Sequence, residues 1–253
     1  MECIELLDRY GYRLGAIHDF VDLNEETDTP DKAIDLVARI ASLSYGNSHA
    51  KSPHVLFHRI VANGHLSCTE FIPFIPKTTG YNESKLALPY LSYRAYAEDG
   101  NNPLEDIEDF YSNDEWEYYD RRIIQAHAAL IECPIPLARQ IMRHRSFSFL
   151  EMSRRYVKGS KVPFTFWGDD PLYAMAVARY EELLSQGVPP EVARRVIPQG
   201  AMTRFWMGGF DRDWQKFFKL RIDKHAQTEV GAIASAVRDL INASEPYPTG
   251  IAA

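Results

Sequence analysis

Between Arg143 and Tyr156 the chain sets four arginines and one histidine among Phe147, Phe149, Leu150 and Met152, with one glutamate and three serines in the same fourteen residues. A solvated charge run does not carry four large apolar side chains, so this segment is partly buried. Buried arginines need anionic partners, and only Glu151 is at hand. The surplus charge awaits a ligand or a neighbour. The planar fork of arginine suits carboxylate or phosphate, and a wall for a phosphorylated ligand is the first reading.

If Phe147 to Tyr156 is extended, side chains alternate between faces. Glu151, Ser153 and Arg155 then share one face, and Leu150, Met152, Arg154 and Tyr156 the other. Arginine-rich strands at subunit interfaces show the same rows, so binding site and interface are both open on residue types alone.

The 253 residues suffice for a sizeable core. A formal net charge of −7 argues against broad nucleic-acid binding, which makes the arginine cluster a local positive site on an acidic chain. Cys3, Cys68 and Cys133 are too few and too scattered for a disulfide framework or a zinc knuckle. No apolar run reaches membrane-span length, and Met1 to Glu5 does not read as a signal peptide, so a soluble, cytoplasmic protein is expected.

Cys3 to Leu7 reads as a strand with Gly11 in the following turn, and Asp22 to Thr29 as a loop. Pro30 opens a helix with Ala33, Leu36, Val37, Ile40 and Leu43 at helical spacing, ending near Tyr45-Gly46-Asn47. Ser52-Pro53 opens a second, with Val55, Leu56, Ile60 and Val61 as its stripe and Gly64 as its stop. Residues 73–120, broken by Pro73, Pro76, Pro89, Gly100 and Pro103, read as a loop with one or two short helices. Glu115 to Ile131 reads as a helix with Trp116, Tyr119, Ile123, Ala126 and Leu130 on one stripe, and a short helix follows Cys133-Pro134-Ile135-Pro136 into the arginine stretch. A turn at Lys158 to Lys161 and an extended Val162 to Trp167 come next. Helices are then expected from Pro171 to Leu184, from Pro189-Pro190 through Val196, and along one long element from about Asp211 to Ile241. On that last helix Arg221, His225 and Glu229 would line up four apart. By itself the row reads rather as a surface ion-pair ladder.

The stretch from Arg143 carries Arg143-His144-Arg145, then Ser148, Ser153 and Arg155, and so resembles the R-H-R-x-x-S-x-x-x-x-S-x-R signature of the flavin-dependent thymidylate synthases. Three further blocks resemble that family. His65-Leu66-Ser67-Cys68-Thr69-Glu70 matches its H-x-S-x-x-E segment, with Phe71 where histidine is usual. Arg194-Arg195-Val196-Ile197-Pro198 matches R-x-x-L-P with Ile197 for leucine, and Thr203 follows five residues on. Leu220 to Glu229 matches L-R-x-x-x-x-A-Q-x-E. The family reaches its arginine motif from the H-x-S segment in fewer residues, so 73–120 reads as an insertion in a single domain over 1–253; a lid, oligomer contacts and surface decoration are its open roles. Phe210 and Lys216 stand where the family has flavin-contacting asparagines, with Arg212 kept between them.

The resemblance implies an α/β chain of α+β type, with a mixed or antiparallel sheet packed by helices and a long C-terminal helix. It implies a homotetramer with active sites between subunits, and reductive methylation of deoxyuridine monophosphate (dUMP) to the thymidine nucleotide. 5,10-Methylenetetrahydrofolate is the expected one-carbon donor, FAD the electron carrier and NADPH its reductant. Carried over, Gln140, Arg143, Glu151, Ser153, Arg155, Arg194 and Arg221 hold dUMP, with Arg221 favouring the ionised uracil. His65, Ser67, Arg143, His144, Arg145, Glu151, Arg212, Lys216 and His225 hold flavin or position folate. No cysteine has the basic neighbours of an activated thiolate. Two competing readings remain: a nucleotide or flavin binder without turnover, supported by Phe210 and Lys216, and a metal-dependent phosphohydrolase built on His54 and His58, which lacks the H-E-x-x-H pattern.

Overall fold

The structure, a computed structural model, describes residues 2–46, 51–73, 75–76, 87–90, 92–98, 107–112, 116–117, 125–155, 157, 159 and 161–244. Strand β1 (Ile4–Leu7) turns at Gly11 (φ 83°) into β2 (Arg13–Asp22). The expected loop after Asp22 instead holds a single helical turn, α1 (Leu23–Glu26), because the Asp22 carboxylate accepts the backbone N–H groups of Asn24 and Glu25. Helix α2 (Pro30–Ser42) starts as read. Thr29 accepts from the Lys32 N–H, Pro30 and Asp31 occupy the first turn, and Gly46 closes the following 3-10 turn with φ 68°. Helix α3 (Pro53–Ala62) departs in two details: Ser52 makes no side-chain cap, and Val55 faces solvent while Leu56, Phe57, Ile60 and Val61 are buried.

Within 73–120 the described residues give β3 (Ile75–Pro76), α4 (Tyr93–Glu98), α5 (Ile107–Ser112) and β4 (Trp116–Glu117), with β3 paired antiparallel to β4. These pieces are not surface decoration: Leu88, Tyr93, Ala97 and Ile107 are buried in the main core. The Tyr93 N–H also donates to the Ile72 carbonyl at 3.1 Å.

The helix expected over Glu115 to Ile131 is overturned. Residues 126–134 form strand β5 (Ala126–Pro134), the middle of the sheet; Tyr119 and Ile123 lie outside the described residues. A strand buried on both faces shows no alternation, so its apolar run was open to a helical reading. Helix α6 (Ile135–Ile141) and β6 (Ser148–Glu151) follow, then α7 (Pro171–Ser185) and α8 (Pro190–Ala193) with a 3-10 turn over Arg194–Val196. The expected extension to Tyr156 is shorter than read: after Glu151 only Met152 and Ser153 precede a turn at Arg154-Arg155, and Tyr156, Lys158 and Ser160 lie outside the described residues.

Strand β7 (Met202–Phe210), absent from the sequence reading, pairs with both β5 and β6. Its two adjacent glycines make room for rings from either side. A Cβ on Gly208 would meet Phe71 at 2.8 Å, and one on Gly209 would meet Phe147 at 2.5 Å. The single long helix divides into α9 (Asp211–Arg221) and α10 (Thr228–Ser244). Asp223 accepts the N–H of His225 at 2.8 Å in a local turn, and a Cβ on Gly231 would stand 3.0 Å from the Arg221 carbonyl, so the new helix starts hard against the end of the old one.

The sheet runs β1-β2-β5-β7-β6, antiparallel throughout. One face carries Val21, Ile34, Val37, Phe57, Phe71, Trp206 and Phe210 under α2, α3 and the described parts of 73–120. The other carries Ile131, Phe147, Phe205, Trp214, Phe217 and Ile233 under α6, α9 and α10. Complete burial of each such side chain contributes about 1.5–3 kcal/mol, which seats the arginine motif, through Phe147, between sheet and α9.

Candidate active site

Helix α6 buries Leu137, Ala138 and Ile141, which turns Arg139 outward and leaves Gln140 half-buried. The Gln140 Oε1 is enclosed without a hydrogen-bond partner among the described residues. Two turns follow, closed by His144 N–H to Ile141 O (3.1 Å) and Phe147 N–H to His144 O (3.2 Å). The chain from Arg143 to Phe147 therefore turns back on itself before β6.

Between α6, the end of β6 and the start of β7 lies a cleft of about 530 Å³. Arg139, Glu151, Arg154, Arg194, Arg195 and Thr203 line it. Glu151 accepts from the Thr203 hydroxyl at 2.7 Å. Arg154 donates to the carbonyls of Val162 and Pro163, and its guanidinium lies 4.2 Å from the Phe164 ring centroid. Of the residues nominated for dUMP, the cleft gathers Glu151 and Arg194; Gln140, Arg143, Ser153, Arg155 and Arg221 are not on its walls. Arg139 and Arg195 are cleft cations the sequence reading did not nominate. Their signal was position: Arg139 stands four before Arg143, and Arg195 adjoins Arg194.

A second cluster forms at the far end of α9. Arg221 Nε donates to His144 Nε2 at 3.0 Å, and the imidazole stands edge-on to Phe217 at 5.0 Å between centroids. Burial, and then the Arg221 charge, hold His144 below its usual pKa. The expected row of Arg221, His225 and Glu229 does not exist, because the break after Arg221 puts His225 in the exposed turn. Gln227 and Glu229 line a separate pocket of about 180 Å³ with Trp167.

At the start of α9, Lys216 Nζ lies 3.3 Å from the buried Asp213 carboxylate, with Arg212 Nε 3.7 Å from the same group. Lys216 is otherwise well exposed, whereas Phe210 is 2% exposed and belongs to the core, so its ring is closed to a ligand in this chain. His127 Nδ1, 2.7 Å from Asp211 Oδ1, ties the first residue of α9 to β5.

His65 and Ser67 are exposed on the 3-10 turn Leu66–Phe71, in the layer across the sheet from α9. Glu70 of the same block is paired with Arg94 of α4. One chain thus carries its nominated flavin residues on both sides of its sheet. Arg145 is exposed in the turn before β6. Cys133 is fully buried and burial pushes its thiol far up; Cys68 is pushed up to about 12 by the same cause. His54 lies 3.5 Å from the exposed Asp31, and among the described residues no three His, Cys, Asp or Glu side chains gather as a metal site. No helix among them is long and apolar enough to cross a membrane.

Residues 123–247 match the family model described as thymidylate synthase complementing protein. The flavin-dependent thymidylate synthase of Thermotoga neapolitana is 34% identical over 137 residues, covering 46% of this chain and 62% of the relative. That of Synechocystis sp. is 31% identical over 142 residues, covering 46% and 65%. That of Aquifex aeolicus is 30% identical over 139 residues, covering 44% of each. The chain thus spans less than two thirds of the length of these curated relatives. The matched segment contains α6, the arginine motif, the cleft and both C-terminal helices, and over it the chain is similar to the flavin-dependent thymidylate synthases.

Proposed function

We propose that the protein converts dUMP to the thymidine nucleotide, with 5,10-methylenetetrahydrofolate as one-carbon donor, FAD as electron carrier and NADPH as reductant, acting as a cytoplasmic homotetramer. The observation that carries this reading is the cleft, where Glu151, Thr203 and Arg194, drawn from three separated parts of the chain, share one wall system beside α6. The nucleotide phosphate would be held by Arg194 with Arg155 and Ser153, since forked guanidinium groups match phosphate oxygens. Gln140 and Arg143 would hold the nucleotide from the end of α6.

Arg221 keeps its Nε on His144, which leaves its terminal amino groups for negative charge developing on the uracil. His144, with Nε2 accepting, carries its proton on Nδ1 and can donate from there. By residue type the donor set suits a flavin dinucleotide: Arg145, Arg212 and Lys216 bring positive charge for a pyrophosphate, while His65, Ser67, His144 and His225 bring polar groups. When bound, FAD would supply the reducing equivalents; the chain's own part is to orient and polarise. The buried, proton-retaining Cys133 and Cys68 are unsuited to attack on the uracil.

The test is a visible spectrum of the purified protein followed by an assay with dUMP, methylenetetrahydrofolate and NADPH. Flavin bands and thymidine nucleotide are expected. Bound flavin without product would leave a nucleotide-binding protein, and a colourless, metal-containing protein would revive the phosphohydrolase.

A further inference from the structure

The cleft holds more positive charge than a nucleoside monophosphate requires. Arg139 on α6 and Arg194 and Arg195 on the turn after α8 line it, and all three are exposed. Among the described residues none of these three guanidinium groups has a hydrogen-bonded or ion-paired partner. Arg154 is different, since the carbonyls of Val162 and Pro163 hold it. Among the described residues the one carboxylate on the walls, Glu151, is already engaged by Thr203. Like charges lining one concave surface repel, and low-dielectric walls strengthen the field they share.

On the reading above, Arg194 takes the phosphate of dUMP together with Arg155 and Ser153. Arg139 and Arg195 are then left over, and they are not scattered. Arg195 follows Arg194 on the same 3-10 turn, and Arg139 stands on α6 in the wall of the same cleft. A cation adjoining a phosphate site and facing the same space is placed for the next oxyanion along a phosphate chain. The cleft volume of about 530 Å³ falls inside the ordinary range of ligand pockets, roughly 300–1,000 Å³.

We propose that Arg139 and Arg195 form a second oxyanion subsite beside Arg194, and that it takes the β-phosphate of a pyrimidine nucleoside diphosphate. The inference rests on the reading of the cleft as the nucleotide site. Its consequence is regulatory: a diphosphate bearing the same base and sugar occupies the cleft more tightly than the monophosphate. The ratio of the two nucleotides then sets how much of the enzyme is open to substrate.

The experiment is calorimetric titration of the full-length protein with deoxyuridine, dUMP and dUDP, for the wild type, Arg139→Gln and Arg195→Gln. Because a hydrogen bond to a charged group contributes measurably more than a neutral one, dUDP should bind wild type about tenfold or more tighter than dUMP. Each variant should remove most of that advantage while shifting dUMP by less than about threefold. Both positions are exposed, so folding should survive, and the wild-type comparison of dUMP with dUDP needs no variant at all. Equal or weaker binding of dUDP to wild type overturns the subsite. So does a variant that weakens both nucleotides alike, or one that alters subunit assembly and leaves the dUDP preference intact. Wild type that binds neither nucleotide sinks the nucleotide reading itself, and the subsite with it.

Discussion

Arg221 Nε donates to His144 Nε2 at 3.0 Å, and this one bond joins the last turn of α9 to the first residues of the arginine motif across 77 positions of sequence. An imidazole nitrogen that accepts from a guanidinium has no proton of its own. His144 is therefore neutral in this arrangement, with its hydrogen on Nδ1.

That neutrality sets a pH dependence. Burial and the neighbouring Arg221 hold the folded-state pKa of His144 below its ordinary value. Between the folded and unfolded values the unfolded chain binds more protons, so stability rises with pH across that window and is level above about 6.5. His144→Gln keeps an acceptor for Arg221 but does not titrate. Melting temperatures followed from pH 8 downward should show wild type losing stability relative to His144→Gln once the pH falls below about 6.5. Parallel curves would mean the bond does not form in solution.

Arg221 itself is the second test. If its terminal amino groups stabilise charge on the uracil, Arg221→Ala should lower kcat by about 10²–10³, the usual cost of removing one such electrostatic donor. The flavin spectrum should survive. A Cys133→Ala control should retain activity, because that thiol is fully buried and holds its proton. An inactive Cys133→Ala protein with an unchanged melting temperature would overturn the exclusion of a thiolate.

Helices α2 and α7 were legible because each opens on a proline and closes near a glycine, with apolar residues at helical spacing between. Strands β5 and β7 were not. Burial on both faces erased the alternation in β5, and the paired glycines of β7 look like a loop until Phe71 and Phe147 are seen packed against them. The C-terminal pattern ran through the break at 222–227 because Ala226 and Val230 keep the spacing that a continuous helix would have. Motif spacing nominated Glu151 and Arg194, but their meeting in one cleft depends on β6 pairing with β7, a long-range contact that no local pattern carries. The same holds for His144 and Arg221.

Glu132 gives a stability test away from the cleft chemistry. Its carboxylate, 1% exposed, sits among Arg13 (2.9 Å), His18 (3.2 Å) and Arg204. Burial alone would raise its pKa, but His18, Arg204 and Arg13 outweigh burial and bring it to about 2. A depressed carboxylate contributes stability above its unfolded value, and that contribution is lost as the pH falls from about 4.5 through about 2. Removing one partner of a buried ion pair costs about 3–5 kcal/mol. Arg13 and Arg204 both reach solvent, which favours the low end. Glu132→Gln should thus lower Tm by very roughly 6–12 °C at about 2–4 °C per kcal/mol for a chain of this size, and flatten the acid limb of the stability curve. An unshifted Tm would show that water already screens this cluster.

The last test concerns assembly. Arg143 is exposed in the turn at the end of α6, and Arg155 is exposed in the turn beyond β6, the edge strand of the sheet. Neither lines the cleft that holds Glu151 and Arg194. Gln140, Ser153 and Arg221 are also absent from its walls, so a single chain presents only part of the nominated nucleotide site. A second copy bringing its own edge strand and motif turn would supply the remainder. On that hypothesis Arg143 of one protomer works with Arg155 of another. Arg143→Ala and Arg155→Ala should each be nearly inactive alone. Unfolded together and reassembled, the two variants should regain part of the wild-type rate, because some sites then hold both arginines intact. Size-exclusion chromatography of the mixture should confirm assembly before the assay. Mixed oligomers that assemble and stay inactive would place both arginines in the same chain's site, and the division of the nucleotide between subunits would be wrong.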